Sequence, residues 1–251
     1  MVLFFKCLNR DDLQKCASLI DGGSIVVFPT DTVYGIGCDP LNDSSVLNLY
    51  KIKNRPLEKH LPILTNSVSN LADMVELTYN AKKLINCFWP GPLTLILKVK
   101  DNSIIAHKYA FDKTIAIRIP NNKCTLDLIQ MTKNKLLVGT SANLSGQSHF
   151  SNINDLLKTD LKGYDAIVIK EEGDEAESFG ELQTYLNSNT EKVTKKNNEY
   201  SSIINQDNPI PPVSTIVDLS DTNTINTWPK IIREGIISKE KIFSSLEKRE
   251  K

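Results

Sequence analysis

The sequence predicts an α/β fold built on a twisted mixed sheet with flanking helices, and three observations predict it. Short β-branched and leucine-rich runs alternate with amphipathic helical stretches along most of the chain. Hydrophobic residues are 40% and charged residues 24% of 251, which is enough apolar material for a globular core. No apolar run approaches the roughly 18–20 residues that a membrane helix needs.

The elements follow in order. The first five residues are apolar, but Lys6 and Arg10 end that run. No small-residue cleavage site follows, which argues against a secretory leader and for a cytoplasmic chain without a membrane partner. Leu13, Cys16, Ala17 and Ile20 set a helical period over 10–20, stopped by Gly22 and Gly23. Residues 24–28 read as a short buried strand. Asn42 or Asp43 caps a helix carrying Val46, Leu49 and Tyr50. A strand is expected at 61–65. Leu77, Ala81, Leu84, Ile85 and Phe88 mark a helix closed by Trp89-Pro90-Gly91-Pro92. Further strands are expected at 93–99, 114–119, 136–140, 165–170, 214–219 and 230–234. Ser238 caps a last helix with Ile242, Phe243 and Leu246 inward.

The rhythm fails between about 171 and 212. This stretch holds nine acids against three bases, then Pro209, Pro211 and Pro212, and reads as a long polar, acidic insertion. One or two helical turns are expected at 179–186. The chain is neutral overall, with 30 bases and 30 acids, so a nucleic-acid coat over the whole surface is excluded. Outside the insertion, however, 27 bases face 21 acids, a balance suited to anionic ligands. The expectation is one domain over 1–251.

Five widely spaced cysteines without a CxxC favour reduced thiols packed as small hydrophobes over a disulfide framework or a zinc site. The three histidines have no metal spacing, and GxxxxGK[ST] and GxGxxG are both absent.

Six segments carry candidate chemistry. Phe28-Pro29-Thr30-Asp31-Thr32-Val33-Tyr34-Gly35 runs from a strand into a hydroxyl-rich turn. It suits a small polar ligand, or equally a turn that satisfies its own backbone. Lys51, Lys53, Arg55 and Lys59 lie within nine residues at a helix end. They read as a polyphosphate clamp or as a solvated helix C-terminus, and the pattern alone favours the latter. Thr140-Ser141-Ala142-Asn143-Leu144-Ser145-Gly146 again places hydroxyls and an amide after a strand. Arg118 lies inside an apolar strand, where an unpaired charge is costly, so it must face a carboxylate of the protein or of a substrate. Residues 213–218 and Ile232-Arg233-Glu234-Gly235 add strand-borne polar groups.

Taken in order, PTDTVYG, KNRPLEK, FWPGPLTLIL, IRIP, SANLSG, STIVD and IREG resemble the YrdC family, specifically its single-domain L-threonylcarbamoyladenylate synthases. The resemblance covers about residues 10–235 outside the insertion. It implies a twisted mixed sheet around an open central cavity. The implied reaction joins L-threonine, bicarbonate and ATP into threonylcarbamoyl-AMP and pyrophosphate, for threonylcarbamoyladenosine in tRNA. By residue, it implies Lys53 and Arg55 as the catalytic cations on the triphosphate, with Lys59 beside them. Thr114, Ser141, Asn143, His149 and Arg233 would also contact ATP. Thr32, Arg118, Gly139 and Ser214 would hold threonine, with Arg118 on its carboxylate. Mg2+ would ride on the ATP phosphates, with no protein metal site. The product would pass to a tRNA threonylcarbamoyl transferase complex, with weak tRNA contact. Two positions depart from the pattern: His60 replaces a common Pro, and Leu64 replaces a common His that contacts threonine. About sixteen residues follow IREG, too few for the second domain of longer relatives.

Two other functions compete. One is a non-catalytic binding module for double-stranded RNA or tRNA on the same fold. It would use surface cations and stacking aromatics, yet aromatics are only 7% and do not alternate with the bases. The other is a carbamoyl-transfer domain of hydrogenase maturation type, which normally accompanies zinc-binding cysteines.

Overall fold

A computed structural model describes residues 2–103, 113–150, 152–170, 213–221 and 228–247. The expected insertion at 171–212, with its helical turns at 179–186, lies outside the described residues.

Capping chemistry fixes the helices. Asn9 accepts from the backbone N–H groups of Asp11 and Asp12 to start α1 (Arg10–Asp21), and Asn42 accepts from Ser45 N–H to start α2 (Asp43–Ile52). Thr78 does the same for α3 (Tyr79–Phe88), Asn122 for α4 (Lys123–Met131) and Asn152 for the short α5 (Ile153–Leu157). Ser238 accepts from Lys241 N–H at the start of α6 (Lys239–Glu247).

Eleven described strands divide into two sheets, where the sequence suggested one. The first contains β1 (Leu3–Lys6), β2 (Val26–Phe28), β3 (Gly35–Gly37), β8 (Thr140–Ser141) and β9 (Ala166–Ile169), in the order β1-β9-β2-β3-β8. The second contains β4 (Ile63–Thr65), β5 (Leu93–Lys98), β6 (Thr114–Arg118), β7 (Leu136–Val138), β10 (Thr215–Asp218) and β11 (Lys230–Arg233), in the order β11-β10-β5-β6-β4-β7. Both are mixed. β1, β9 and β2 are mutually parallel, as are β10 with β5 and β6 with β4, and the other pairs are antiparallel. The apolar N-terminus, which gave no strand signal, is an edge strand.

Alternation along the strands sorts the core into two layers. Ile25, Val27, Ile167 and Ile169 face the second sheet, joining Ile63, Leu95, Leu97, Ile115 and Ile117. Val26, Phe28, Ala166 and Val168 face the other way, onto Leu13, Ala17 and Ile20 of α1 and Leu128 and Ile129 of α4. The chain crosses between sheets at Gly139, which separates β7 from β8. The sheets meet closely there: Val138 N–H donates to Cys38 O at 2.9 Å, and a Cβ on Gly37 would lie 1.6 Å from Val138 O.

Two of the five cysteines contradict the expectation of reduced thiols. Cys7, just after β1, and Cys124, in the first turn of α4, form a disulfide across 117 positions. That pairing depends on α4 packing beside α1 and β1, which local spacing does not encode. Cys16 and Cys38 are free and buried, and burial raises both thiols to about 12, so they behave as hydrophobes. Cys87 is free and exposed. Among the described residues no helix is long and apolar enough to cross a membrane.

Candidate active site

The polar segments converge where the two sheets join. After β2, Thr30 organises the turn: its hydroxyl donates to Val33 O at 2.6 Å and accepts from Thr32 N–H at 3.1 Å. Thr125 of α4 donates its hydroxyl to Pro29 O and anchors the stem of the turn. This presents Asp31 and Thr32 to Arg118 at the end of β6. Arg118 Nη2 donates to Asp31 Oδ1 at 2.5 Å, Nη1 to Thr32 Oγ1 at 3.2 Å and Nε to Gly91 O at 3.0 Å. Arg118 is only 7% exposed. Asp31 is thus the protein carboxylate that the buried charge of Arg118 called for. The sequence named Asp31 only as part of the turn, and Gly91 only as a helix stop.

The second group grows from the end of α2. Asn54 takes a left-handed φ of 47°. Asn54 N–H then donates to Lys51 O at 3.0 Å and Arg55 N–H to Tyr50 O at 2.9 Å, the two bonds that turn a chain off a helix. Lys53, the C-cap, points inward and is 1% exposed. Its ammonium donates to Ser141 O at 2.5 Å and Asn143 O at 2.6 Å, while its own carbonyl accepts from Ser145 N–H at 2.8 Å. So Lys53 braces the 141–145 loop; it does not extend freely towards a phosphate. Arg55 closes its loop by donating from Nε to Lys59 O and from Nη2 to His60 O, both at 2.8 Å. Lys59 itself is exposed. Asn143 is buried, and its amide donates to Leu144 O at 2.9 Å and Gln147 O at 2.7 Å. His149 Nδ1 lies 3.4 Å from Asn143 Oδ1.

Arg233 joins from β11. Its guanidinium donates twice to Ser214 O, at 3.1 and 2.9 Å, and to Ser214 Oγ at 3.1 Å. Ser214 Oγ is also 3.1 Å from Thr94 Oγ1, a partner that the sequence reading did not single out. Thr114 shares a face of β6 with Arg118 but stands at the opposite end, about 13 Å away along the strand. Gly139 N–H donates to Pro62 O at 2.9 Å, and Leu64 packs so closely over Gly139 that a Cβ there would lie 2.3 Å from its Cδ1. Leu64 is a core residue, which accounts for its lack of a polar role.

The cations sense one another. Burial lowers the pKa of Arg118; Asp31 opposes the shift and Arg233 adds to it. Arg233 is lowered by burial and by Arg55. Lys53 falls to about 7 through burial and the neighbouring Arg55. Burial, then Arg233 and Lys53, lower the pKa of His149. Among the described residues Asp31 is the one carboxylate paired with any of Lys53, Arg55, Arg118 and Arg233. Arg55 thus acts on Lys53 and on Arg233, and Arg233 on Arg118, with a single paired counter-charge, a balance suited to an anionic ligand.

A family model described as "Telomere recombination", the Sua5/YciO/YrdC domain, matches residues 18–179. A threonylcarbamoyl-AMP synthase of Bacillus subtilis (strain 168) is 36% identical over 140 residues, 55% of this chain and 40% of that protein. One of Aliivibrio fischeri is 35% identical over 138 residues, 54% of this chain and 74% of that protein. In fold, the chain superimposes on P. abyssi Sua5 complexed with L-threonine with a TM-score of 0.71 at 24% identity, over 98% of this chain and 61% of that one. It superimposes on E. coli YciO with a TM-score of 0.69 at 20% identity, over 94% and 97%. The match over 18–179 takes in most of the chain, including the Asp31 turn, the Lys53 loop and Arg118, and the chain belongs to the Sua5/YciO/YrdC family.

Proposed function

We propose that this protein is an L-threonylcarbamoyladenylate synthase, a nucleotidyltransferase acting on L-threonine, bicarbonate and ATP. The observation that carries the reading is a chain of neighbouring cations, Lys53 beside Arg55, Arg55 acting on Arg233 and Arg233 on Arg118, with one carboxylate, Asp31, paired among them. Relatives at about 35% identity named threonylcarbamoyl-AMP synthase support it.

In this reading Arg118 and Thr32 hold the amino acid, with Gly139 and Ser214 bordering it. Arg55, Lys59, Arg233, Ser141, Asn143 and His149 surround the nucleotide, and Thr114 reaches its far end. The ammonium of threonine first gives up a proton to solvent, the free amine nitrogen then bonds to the carbon of bicarbonate, and water leaves to give a carbamate. A carbamate oxygen then attacks the α-phosphorus, the bond from that phosphorus to the bridging oxygen breaks, and pyrophosphate departs. Charge builds on phosphoryl oxygens, so fixed cations stabilise the transition state and no covalent nucleophile is required. Among the described residues no three potential metal-ligating side chains cluster together. In this reading magnesium would be carried on the nucleotide phosphates, where it would neutralise their charge. The unit acts as one catalytic domain, and its product serves tRNA modification through a tRNA threonylcarbamoyl transferase complex.

The test is to incubate the protein with ATP, magnesium, bicarbonate and L-threonine and to follow pyrophosphate. Release that requires threonine is expected; release that ignores threonine sinks the reading.

A further inference from the structure

We propose that Asp31 is the specificity-determining residue for the amino group of the substrate. Asp31 would receive that group on Oδ2 while Arg118 receives the carboxylate. The inference rests on the amino-acid subsite proposed above and assigns a residue to it.

The argument starts from unmet hydrogen-bonding capacity. Asp31 is largely enclosed, with its side chain 12% exposed, and Oδ1 is taken by Arg118. Oδ2 is buried and has no hydrogen-bond partner among the described residues. Buried carboxylate oxygens are seldom left so, because the lost hydration is not replaced. Arg118 is incomplete in the complementary sense. A guanidinium carries five N–H groups, and three are used, on Gly91 O, Thr32 Oγ1 and Asp31 Oδ1. One residue pair thus offers a vacant acceptor beside vacant donors.

A zwitterionic α-amino acid matches that pair: its carboxylate takes the free N–H groups and its amino group donates to Oδ2. A phosphate does not match, because Asp31 repels it, whereas Arg55, Arg233 and Lys53 form no ion pair with a carboxylate among the described residues. Asp31 therefore assigns the two ends of the site, amine at the Arg118 end and polyphosphate at the other. A hydroxy acid would add a carboxylate to the Asp31–Arg118 pair without the ammonium that balances it, leaving a net negative charge in a largely enclosed site.

The test uses calorimetric titration of the full chain with L-threonine, with 2,3-dihydroxybutanoate of matching configuration (hydroxyl in place of amine), and with ATP. Wild type should prefer threonine to the hydroxy acid by about tenfold or more, the range for a hydrogen bond to a charged group. Asp31→Asn should lose that preference and bind ATP within about twofold of wild type. Threonine affinity unchanged in Asp31→Asn overturns the proposal, and so does tighter threonine binding, which would make Asp31 a competitor for Arg118. Magnesium alone bound by wild type and not by Asp31→Asn makes Oδ2 a metal ligand and also overturns it. If Asp31→Asn fails to fold, the wild-type comparison decides: equal affinity for threonine and the hydroxy acid is fatal. Wild type that binds ATP but neither acid refutes the amino-acid subsite itself, an outcome distinct from loss of selectivity alone.

Discussion

Arg118 and Lys53 are two buried cations of one site, and the fold treats them in opposite ways. Arg118 keeps its charge through an ion pair with Asp31 and a hydroxyl contact from Thr32. Lys53 has no carboxylate partner; it rests on two carbonyl oxygens and its pKa drops to about 7. A planar, permanently charged guanidinium suits a fixed ion pair, whereas an ammonium adjusts its protonation to its surroundings. The Arg118 end is thus locally near neutral. The Lys53 end holds unpaired positive potential that a polyanion would complete.

Removing Arg118 should break this contrast most severely. Arg118→Ala strips the amino-acid end of its donors and leaves Asp31 buried and unpaired. The threonine KM is expected to rise on the order of 100-fold, with the ATP KM changed only a few fold. Stability should fall by about 3–5 kcal/mol, the usual cost of orphaning one partner of a buried pair, read from urea unfolding. Equal changes in both KM values would show that the two ends are not separate subsites.

Lys53 sharpens the contrast through pH. Its pKa is lowered to about 7 from 10.5, so between those values the unfolded chain binds more protons than the folded one. Its contribution to stability therefore rises with pH from about 7 towards 10.5. If the proposed triphosphate binds beside this loop, its negative charge would raise that pKa again, so ATP binding near pH 8 should take up a proton. Titrations in two buffers of different ionisation enthalpy measure that uptake. Lys53→Met should abolish it and weaken ATP by about tenfold, with threonine affinity little changed. Proton uptake that persists in Lys53→Met would assign the linkage to another group.

How much of this was legible in the sequence depends on the range of the interaction. α1, α2, α3 and α6 were readable because an apolar period and a cap lie within one short window, as with Asn42 ahead of Val46, Leu49 and Tyr50. β3 was not: three residues, two of them glycine, carry no period, and the strand depends on Gly37 admitting Val138 O from 101 positions away. The split into two sheets is equally non-local, since it is set by pairings such as β4 with β6. At the site, the buried position of Arg118 announced that a carboxylate must be near. Which carboxylate could not be read, because Asp31 lies 87 residues earlier and its turn looks self-sufficient. The cationic run 51–59 was visible as charge, but not that Lys53 alone turns inward while Lys51 and Lys59 stay exposed.

The Cys7–Cys124 bridge gives the mildest way to separate the two ends. Cys124 precedes Thr125, whose hydroxyl holds Pro29 O at the stem of the Asp31 turn, so the disulfide ties that turn to the chain after β1. The Lys53 loop has no such link: its bonds run to Ser141, Asn143 and Ser145. Alkylation of unfolded, unreduced protein should label three thiols, and five after reduction. Cys7→Ser should cost about 2–4 kcal/mol, as expected for a crosslink that restrains a long unfolded loop. With the turn still held by Thr125, threonine affinity should weaken only about two- to threefold and ATP affinity should not move. If Cys7→Ser weakened ATP as much as threonine, the turn and the Lys53 loop would have to shift as one body, and the division of labour between Arg118 and Lys53 would fail.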